Sequence, residues 1–267
     1  MRDMAASPFP TDPVPEAPLP DAPLVRVLTQ IRFSPIASLT RMEFIAPFQE
    51  ALREFYPTME EQRGMQLVFG PEGVTQSAGD RQWRLSSDDK SWIVVLAPSF
   101  VSLETTRYDS RGDFVARITK IASALRSVVG EISIERLGVR YTDRLIGDRA
   151  TVLLPQLVRS EVLGLTAAPL NAAEIRAAVT QAEFQLPDGS TMTTRCGLLA
   201  PGNTLTPDVQ SVDEPSWVLD LDAAASGLNL SEDVIREAAE RLCMHSYDFF
   251  RWVVTDEFIR IHGGEPG

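Results

Sequence analysis

Residues 132–145 read ISIERLGVRYTDRL, and the alternation in that stretch decides how the rest of the chain is read. Leu137, Val139 and Tyr141 share one parity and Arg136, Arg140 and Arg144 the other, so the segment is a β-strand with an apolar and a cationic face. Ile132 and Ile134, however, lie on the parity of the arginines. The apolar face therefore changes parity around Glu135 and Arg136, which predicts a β-bulge there. At a rise of ~3.3 Å per residue, the guanidiniums would project at intervals of ~13 Å, with Gly138 and Thr142 between them.

Toward the amino terminus, VRVLTQIRF (25–33) alternates in the same way and reads as a half-buried strand. FIAPFQEALREFY (44–56) carries Phe44, Phe48, Leu52 and Phe55 near helical spacing, and the Tyr56-Pro57 step stops it. MQLVFG and RQWRLSS are short strands, and DDK (88–90) is a hairpin turn before the β-branched run WIVVLAPSFVSLETTRY. A helix follows over about Asp113–Val129, with Phe114, Ile118, Ile121, Leu125 and Val128 on one side. Ser110, with Asp113 three residues on, is its candidate N-cap in an imperfect capping box.

Toward the carboxy terminus, TVLLPQLVRSEVLGL (151–165) reads as a short helix broken by Pro155. AEIRAAVTQAEFQL, STMTTRCGLL and SWVLDLDA are strands, and a long helix opens at Ser231. The order β-α-β-β-β-α thus occurs twice. The expected fold is α+β: one domain over 23–263, made of duplicated halves (about 23–130 and 131–263). They share a large antiparallel sheet covered on one face by helices. Runs of consecutive hairpin-linked strands make a parallel βαβ fold the poorer choice.

The last helix, read as one element from Ser231 to Ile261, would be ~45 Å long at ~1.5 Å per residue, more than one sheet face requires. Either it bends over the core or its end projects; a projecting end makes Phe250, Trp252 and Phe258 candidates for a dimer or partner contact. At the other terminus, residues 8–23 contain seven prolines. Such a segment cannot donate a regular hydrogen-bond ladder, so residues 1–22 are expected to be a disordered leader, with a proline-rich ligand for a partner as the second reading.

The 37 acidic residues outnumber the 25 basic ones, for a net charge of −12, which repels a phosphate backbone and argues against nucleic-acid or anionic-membrane binding. No run approaches the roughly 18–20 apolar residues of a membrane span, and the start lacks the order of a signal peptide. A cytoplasmic location is expected, with Cys196 and Cys243 as free buried thiols. Neither a GxxxxGK[ST] loop, a strand-associated GxGxxG nor a GxSxG elbow occurs. His245 and His262, the only imidazoles, lack partners at metal-ligand or catalytic spacing. No metal and no cofactor is expected, and an enzyme is the less favoured reading.

What remains is the arginine row and the acids near it. Three guanidiniums can grip carboxylates or phosphates bidentately. An anion site would draw on Arg26, Arg136, Arg140 and Arg144, with Glu104 or Asp220 as acid or base. Against it stands a salt-bridged open sheet face, with Glu104, Glu135, Glu183, Asp143 and Asp220 as partners. Asp220 and Asp222 would share one face about 7 Å apart, a pair common on the wet face of a strand. RNA binding would need exposed aromatics beside the arginines, and Trp83, Trp92 and Tyr108 are the ones available.

The segments PLVRVLTQIRF, SWIVVLAPSFVSLETTRYDSRGDF, ERLGVRYTDRL, SWVLDLD and YDFFRWVVTDEFI, in this order, resemble a sporadically distributed bacterial family of uncharacterised proteins of about this length. The resemblance spans about residues 22–263 and brings no catalytic residues with it. The family's patchy occurrence is similar to that of mobile-element or defence-type cassettes, which implies a protein partner encoded nearby. The expected function is a non-catalytic protein-binding or accessory protein, antitoxin-like or immunity-like, with a protein partner or a homodimer. The alternative is a small anionic-ligand-binding protein or enzyme that uses an arginine-lined sheet concavity.

Overall fold

A computed structural model describes residues 7–12, 14–70, 73–168, 173–207 and 209–265. The strands are β1 (Leu24–Phe33), β2 (Thr58–Gly70), β3 (Gly73–Ser86), β4 (Trp92–Ala97), β5 (Phe100–Thr105), β6 (Ser133–Ile146), β7 (Ala178–Gln185), β8 (Thr191–Leu199), β9 (Ser216–Ala225) and β10 (Leu228–Asn229). The helices are α1 (Met42–Leu52), α2 (Arg111–Val129), α3 (Leu154–Leu157), α4 (Ser160–Leu163), α5 (Glu232–Val253) and α6 (Asp256–Ile261). The fold is α+β, with one large antiparallel sheet in the order β2-β3-β4-β5-β1-β6-β9-β8-β7 and β10 paired to β6. The chain gathers into two compact units. One comprises Met1–Val27, Arg140–Ala223 and Arg241–Gly267, and the other Leu28–Val139 and Ala224–Glu240.

In the second of these units, β3, β4 and β5 are successive hairpins. Trp83 stands opposite Leu96 and Leu85 opposite Val94; Val94 stands opposite Leu103 and Leu96 opposite Val101. Directly opposed residues share a face, and all six of these side chains are 2% exposed or less. Phe114 of α2 packs 6.2 Å from Trp92, and the Arg117 guanidinium lies 4.2 Å over the same ring. Since Trp92 has the parity of Val94 and Leu96, α2 covers the apolar face of β4. The expected cap is present: Ser110 Oγ accepts the Asp113 N–H, and Gly130 closes the helix at φ +76°. The DDK turn is present too, with Asp89 accepting from the Ser91 N–H and from the Ser87 and Ser91 hydroxyls.

In the other unit, seven of the eight positions of β9 from Ser216 to Ala223 are buried and only Asp222 is half-buried. A strand buried at both parities has both faces covered. Two helix expectations need correction here. Pro155 does not break a helix; it stands in the first turn of α3, where its missing N–H costs nothing, and the helical run is interrupted instead at Val158, which bridges Val254. The terminal helix is not one element of about 30 residues. It ends at Val253, and Thr255 caps a separate α6 by accepting the Phe258 N–H. The break is held by main-chain bonds from Arg159 N–H to Val253 O and from Thr255 N–H to Leu157 O. The end therefore folds back rather than projecting.

Candidate functional site

The arginine row is best built from β6 outward. Ile134 is buried, and then Leu137, Val139 and Leu145 are buried on the other parity, so the apolar face does change parity beside Glu135 and Arg136. Arg140, Thr142 and Arg144 share one side with Asp220 of β9. Arg140 grips that carboxylate bidentately, Nε to Oδ1 at 2.6 Å and Nη2 to Oδ2 at 3.0 Å. Thr142 Oγ1 donates to Oδ1 at 3.1 Å, and Arg195 of β8 adds Nη1 to Oδ2 at 3.2 Å while its Nε bonds Gln181 of β7. Asp220 is 1% exposed. A carboxylate so buried is tolerable only because two cations and a hydroxyl replace its water.

Arg144 takes a different kind of partner. Its guanidinium donates to the main-chain oxygens of Asn203 and Gln210 and to Ser216 Oγ. Asn203 and Gln210 belong to the connection between β8 and β9, which Gly202 N–H to Val212 O closes at 2.7 Å and which buries Val209. Arg144 is left 4% exposed, and that burial lowers its pKa. Of the expected salt-bridged open face, the pairing of Arg140 with Asp220 is present, but the surroundings of Asp220 are buried rather than open. The connection folds back over the strands, because buried guanidiniums offer its carbonyls strong donors.

Asp143 has the opposite parity. It is 6% exposed, and no described residue hydrogen-bonds it. Burial first, and the negative charge of Asp220 second, push its carboxyl up to about 7.

The sequence-predicted residues separate accordingly. Arg140 and Asp220 are in direct contact, Arg144 is two positions beyond Thr142 in the same cluster, and Arg26, 9% exposed, belongs to the same unit. Arg136 and Glu104 belong to the other unit. There the Arg136 guanidinium lies where a Cβ on Gly138 would stand, and Glu104 stands opposite Ile93. Sequence reasoning missed Arg195, Ser216 and the carbonyls of the β8–β9 connection. Arg195 stands alone in its strand, so nothing local joins it to Asp220.

A second polar cluster lies at the β7–β8 turn. Asp188 accepts from the Ser190 N–H and hydroxyl, lies 3.0 Å from His245 Nε2 and pairs with Arg241. Burial raises its pKa, but the bonds from His245 and Ser190 outweigh that and hold the carboxyl well below its usual range. The carboxylate sits between the serine and the imidazole, so the His245 ring is not placed to take the Ser190 proton. Cys196 and Cys243 are buried and form no disulfide with each other, and burial pushes the Cys196 thiol up to about 11. Among the described residues, no group of three or more His, Cys, Asp or Glu stands together to hold a metal, and no helix is long and apolar enough to cross a membrane. Trp83 and Trp92 are core, 2% and 7% exposed, so they offer no stacking surface for RNA.

The residues of the terminal helices form a third region. Phe258 is 1% exposed and packs on His262 and Phe250. Trp252 packs on Phe249, with the Arg159 guanidinium 5.4 Å from the centroid of its ring. These side chains hold α5 and α6 together because the helix turns back at Thr255. The segment read from composition as a disordered leader lies against this region. Phe9 packs on Phe184 and Phe249 at 5.1 and 5.7 Å, and those two rings contact each other at 5.8 Å. Val14 N–H donates to Asp248, Ala17 N–H to the Tyr247 hydroxyl, and that hydroxyl to Pro15 O. A proline-rich segment cannot form these bonds with itself, so other elements supply them. In comparisons with known proteins, no family model and no curated protein matches the chain.

Proposed function

We propose that the chain is a non-catalytic protein-binding or accessory protein of a bacterial gene cassette of the mobile-element or defence type, antitoxin-like or immunity-like, acting in the cytoplasm and binding its partner through the edge strand β7. The observation that carries this reading is the condition of that edge. Strand β7 ends the sheet order and, among the described residues, pairs with β8 alone, over eight consecutive positions without a register shift. Every residue of it is exposed or half-exposed. Val179 is 47% exposed. Leu165 is 71% exposed, and it follows Gly164, where a Cβ would stand 3.7 Å from Thr180. Edge strands are usually guarded by proline, lysine or a bulge; AVTQAEFQ has none of these, and its single charge is Glu183. An incoming strand would gain main-chain bonds along the edge and apolar contact with Val179 and Leu165.

The anionic-ligand reading has less support. Asp220 holds Arg140 and Arg195, and carbonyls and a hydroxyl hold Arg144. The proposal includes duplication of the halves. In its favour, β1 and β6 are neighbours in the sheet order, followed outward by β5-β4-β3-β2 on one side and β9-β8-β7 on the other.

Co-expression with the products of adjacent genes, read by native mass measurement, tests the function. A stoichiometric complex or a homodimer is expected, and Val179→Lys should dissociate it. A solitary monomer with every neighbour, or a complex indifferent to Val179→Lys, counts against the reading.

A further inference from the structure

The leader is held by a particular chemistry. Val14 and Ala17, the two residues whose N–H groups are taken by Asp248 and Tyr247, are half-buried, whereas Pro15, Glu16 and Pro18 are exposed. A spacing of three is one turn of a polyproline II helix, about 9 Å of extended chain, so the same side of the segment returns to the groove at each turn. The groove reads main chain there: Asp248 accepts one N–H, and the Tyr247 hydroxyl accepts another while donating to a carbonyl. Phe184 and Phe249 form the aromatic end that receives Phe9. At the other end, Asp21 N–H donates to His262 O.

We propose that this aromatic and acidic groove on α5 and α6 is a recognition site for proline-rich extended segments. The leader is its ligand in cis, and a partner protein carrying such a segment docks by displacing it. Three features make the leader displaceable rather than part of the core. Its described residues from Ser7 to Ala22 contribute no strand or helix, most of them are exposed, and its main-chain bonds to α5 are made one at a time by side chains rather than as a ladder. Segments held in this way open at low cost. A proline-rich competitor loses little conformational entropy on docking, because its extended form already exists in solution. This surface shares Phe184 with β7 but uses its ring rather than the main-chain edge, so either reading can fail alone.

The test uses the full chain. Val14→Pro with Ala17→Pro removes the two leader N–H donors and leaves every groove residue unchanged. A fluorescent peptide of residues 7–22, followed by anisotropy, is expected to bind the V14P/A17P protein at least tenfold more tightly than the wild-type chain, whose tethered leader competes at an effective concentration on the order of millimolar. Adding Tyr247→Phe, which keeps the ring against Phe250, should weaken peptide binding about 25-fold, the equivalent of the two hydrogen bonds that its hydroxyl makes to Ala17 and Pro15. Equal peptide affinity for wild type and V14P/A17P would place the peptide elsewhere and overturn the proposal. So would binding indifferent to Tyr247→Phe, or equal binding of a peptide whose prolines are replaced by alanine.

Discussion

Asp143 and Asp220 lie close in the fold but have opposite surroundings. Asp220 is satisfied by Arg140, Arg195 and Thr142, whereas Asp143 is buried with no described hydrogen-bond partner and its carboxyl is pushed up to about 7. In the unfolded chain that group titrates near its ordinary 3.8. Between these pH values the native state therefore binds more protons than the unfolded one. Stability must fall as pH rises through that window, and the penalty is complete above it. At about 1.4 kcal/mol per pH unit, a shift of about three units makes it on the order of 4 kcal/mol. Asp143→Asn should thus exceed the wild type in stability by that order at pH 8 and lose the advantage near pH 4, as read by urea denaturation at both values. An advantage independent of pH would remove the argument. At this scale, parity along β6 was legible because alternation is local. The partners were not, since Arg195 and the Asn203 and Gln210 carbonyls reach the cluster through non-local pairing and through an aperiodic connection rich in proline.

Strands and helices obeyed the same distinction. The stripe Phe114, Ile118, Ile121 and Leu125 carries its period openly, and α2 lies where that period places it, whereas WIVVLAPSFVSLETTRY, read as one strand, is two, because the chain turns between Ala97 and Phe100 and pairs β4 with β5. The terminal helix was misread because its apolar stripe continues through Val253, Val254 and Phe258 with no glycine or proline to mark an end. The mark was a cap: Thr255 followed by Asp256 and Glu257, a hydroxyl with two acids in the first turn of α6. Thr255 also donates its hydroxyl to Gln156 O, so one side chain both starts α6 and ties it to α3. Thr255→Ala should cost about 1–2 kcal/mol. Amide hydrogen exchange should show the loss concentrated in α6, around Phe258 and Ile259, with α2 unchanged. A uniform loss across the chain would mean that the cap has no local role.

For the whole molecule, the repeat read from sequence and the units formed by packing divide the chain at different places. A cut after residue 130 leaves Leu28–Gly130 without two segments that belong to the same compact unit. One is the start of β6, where Ile134, Leu137 and Val139 are buried and Gly138 O accepts from the Thr29 hydroxyl. The other is Ala224–Glu240, which pairs Leu228 with Ile134, bonds Leu230 N–H to Ile132 O, and buries Ile235, Ala238 and Ala239. Each segment supplies apolar side chains and main-chain partners that residues 23–130 cannot replace from within. Losing several fully buried aliphatic groups removes about 1.5–3 kcal/mol apiece, which together exceeds the margin of a typical domain. A first half produced alone should therefore give no cooperative urea transition in the fluorescence of Trp83 and Trp92, while the intact chain gives a sigmoidal one. A native-like emission and a sharp transition from residues 23–130 alone would show that the half is a self-sufficient fold and that the later segments only decorate it.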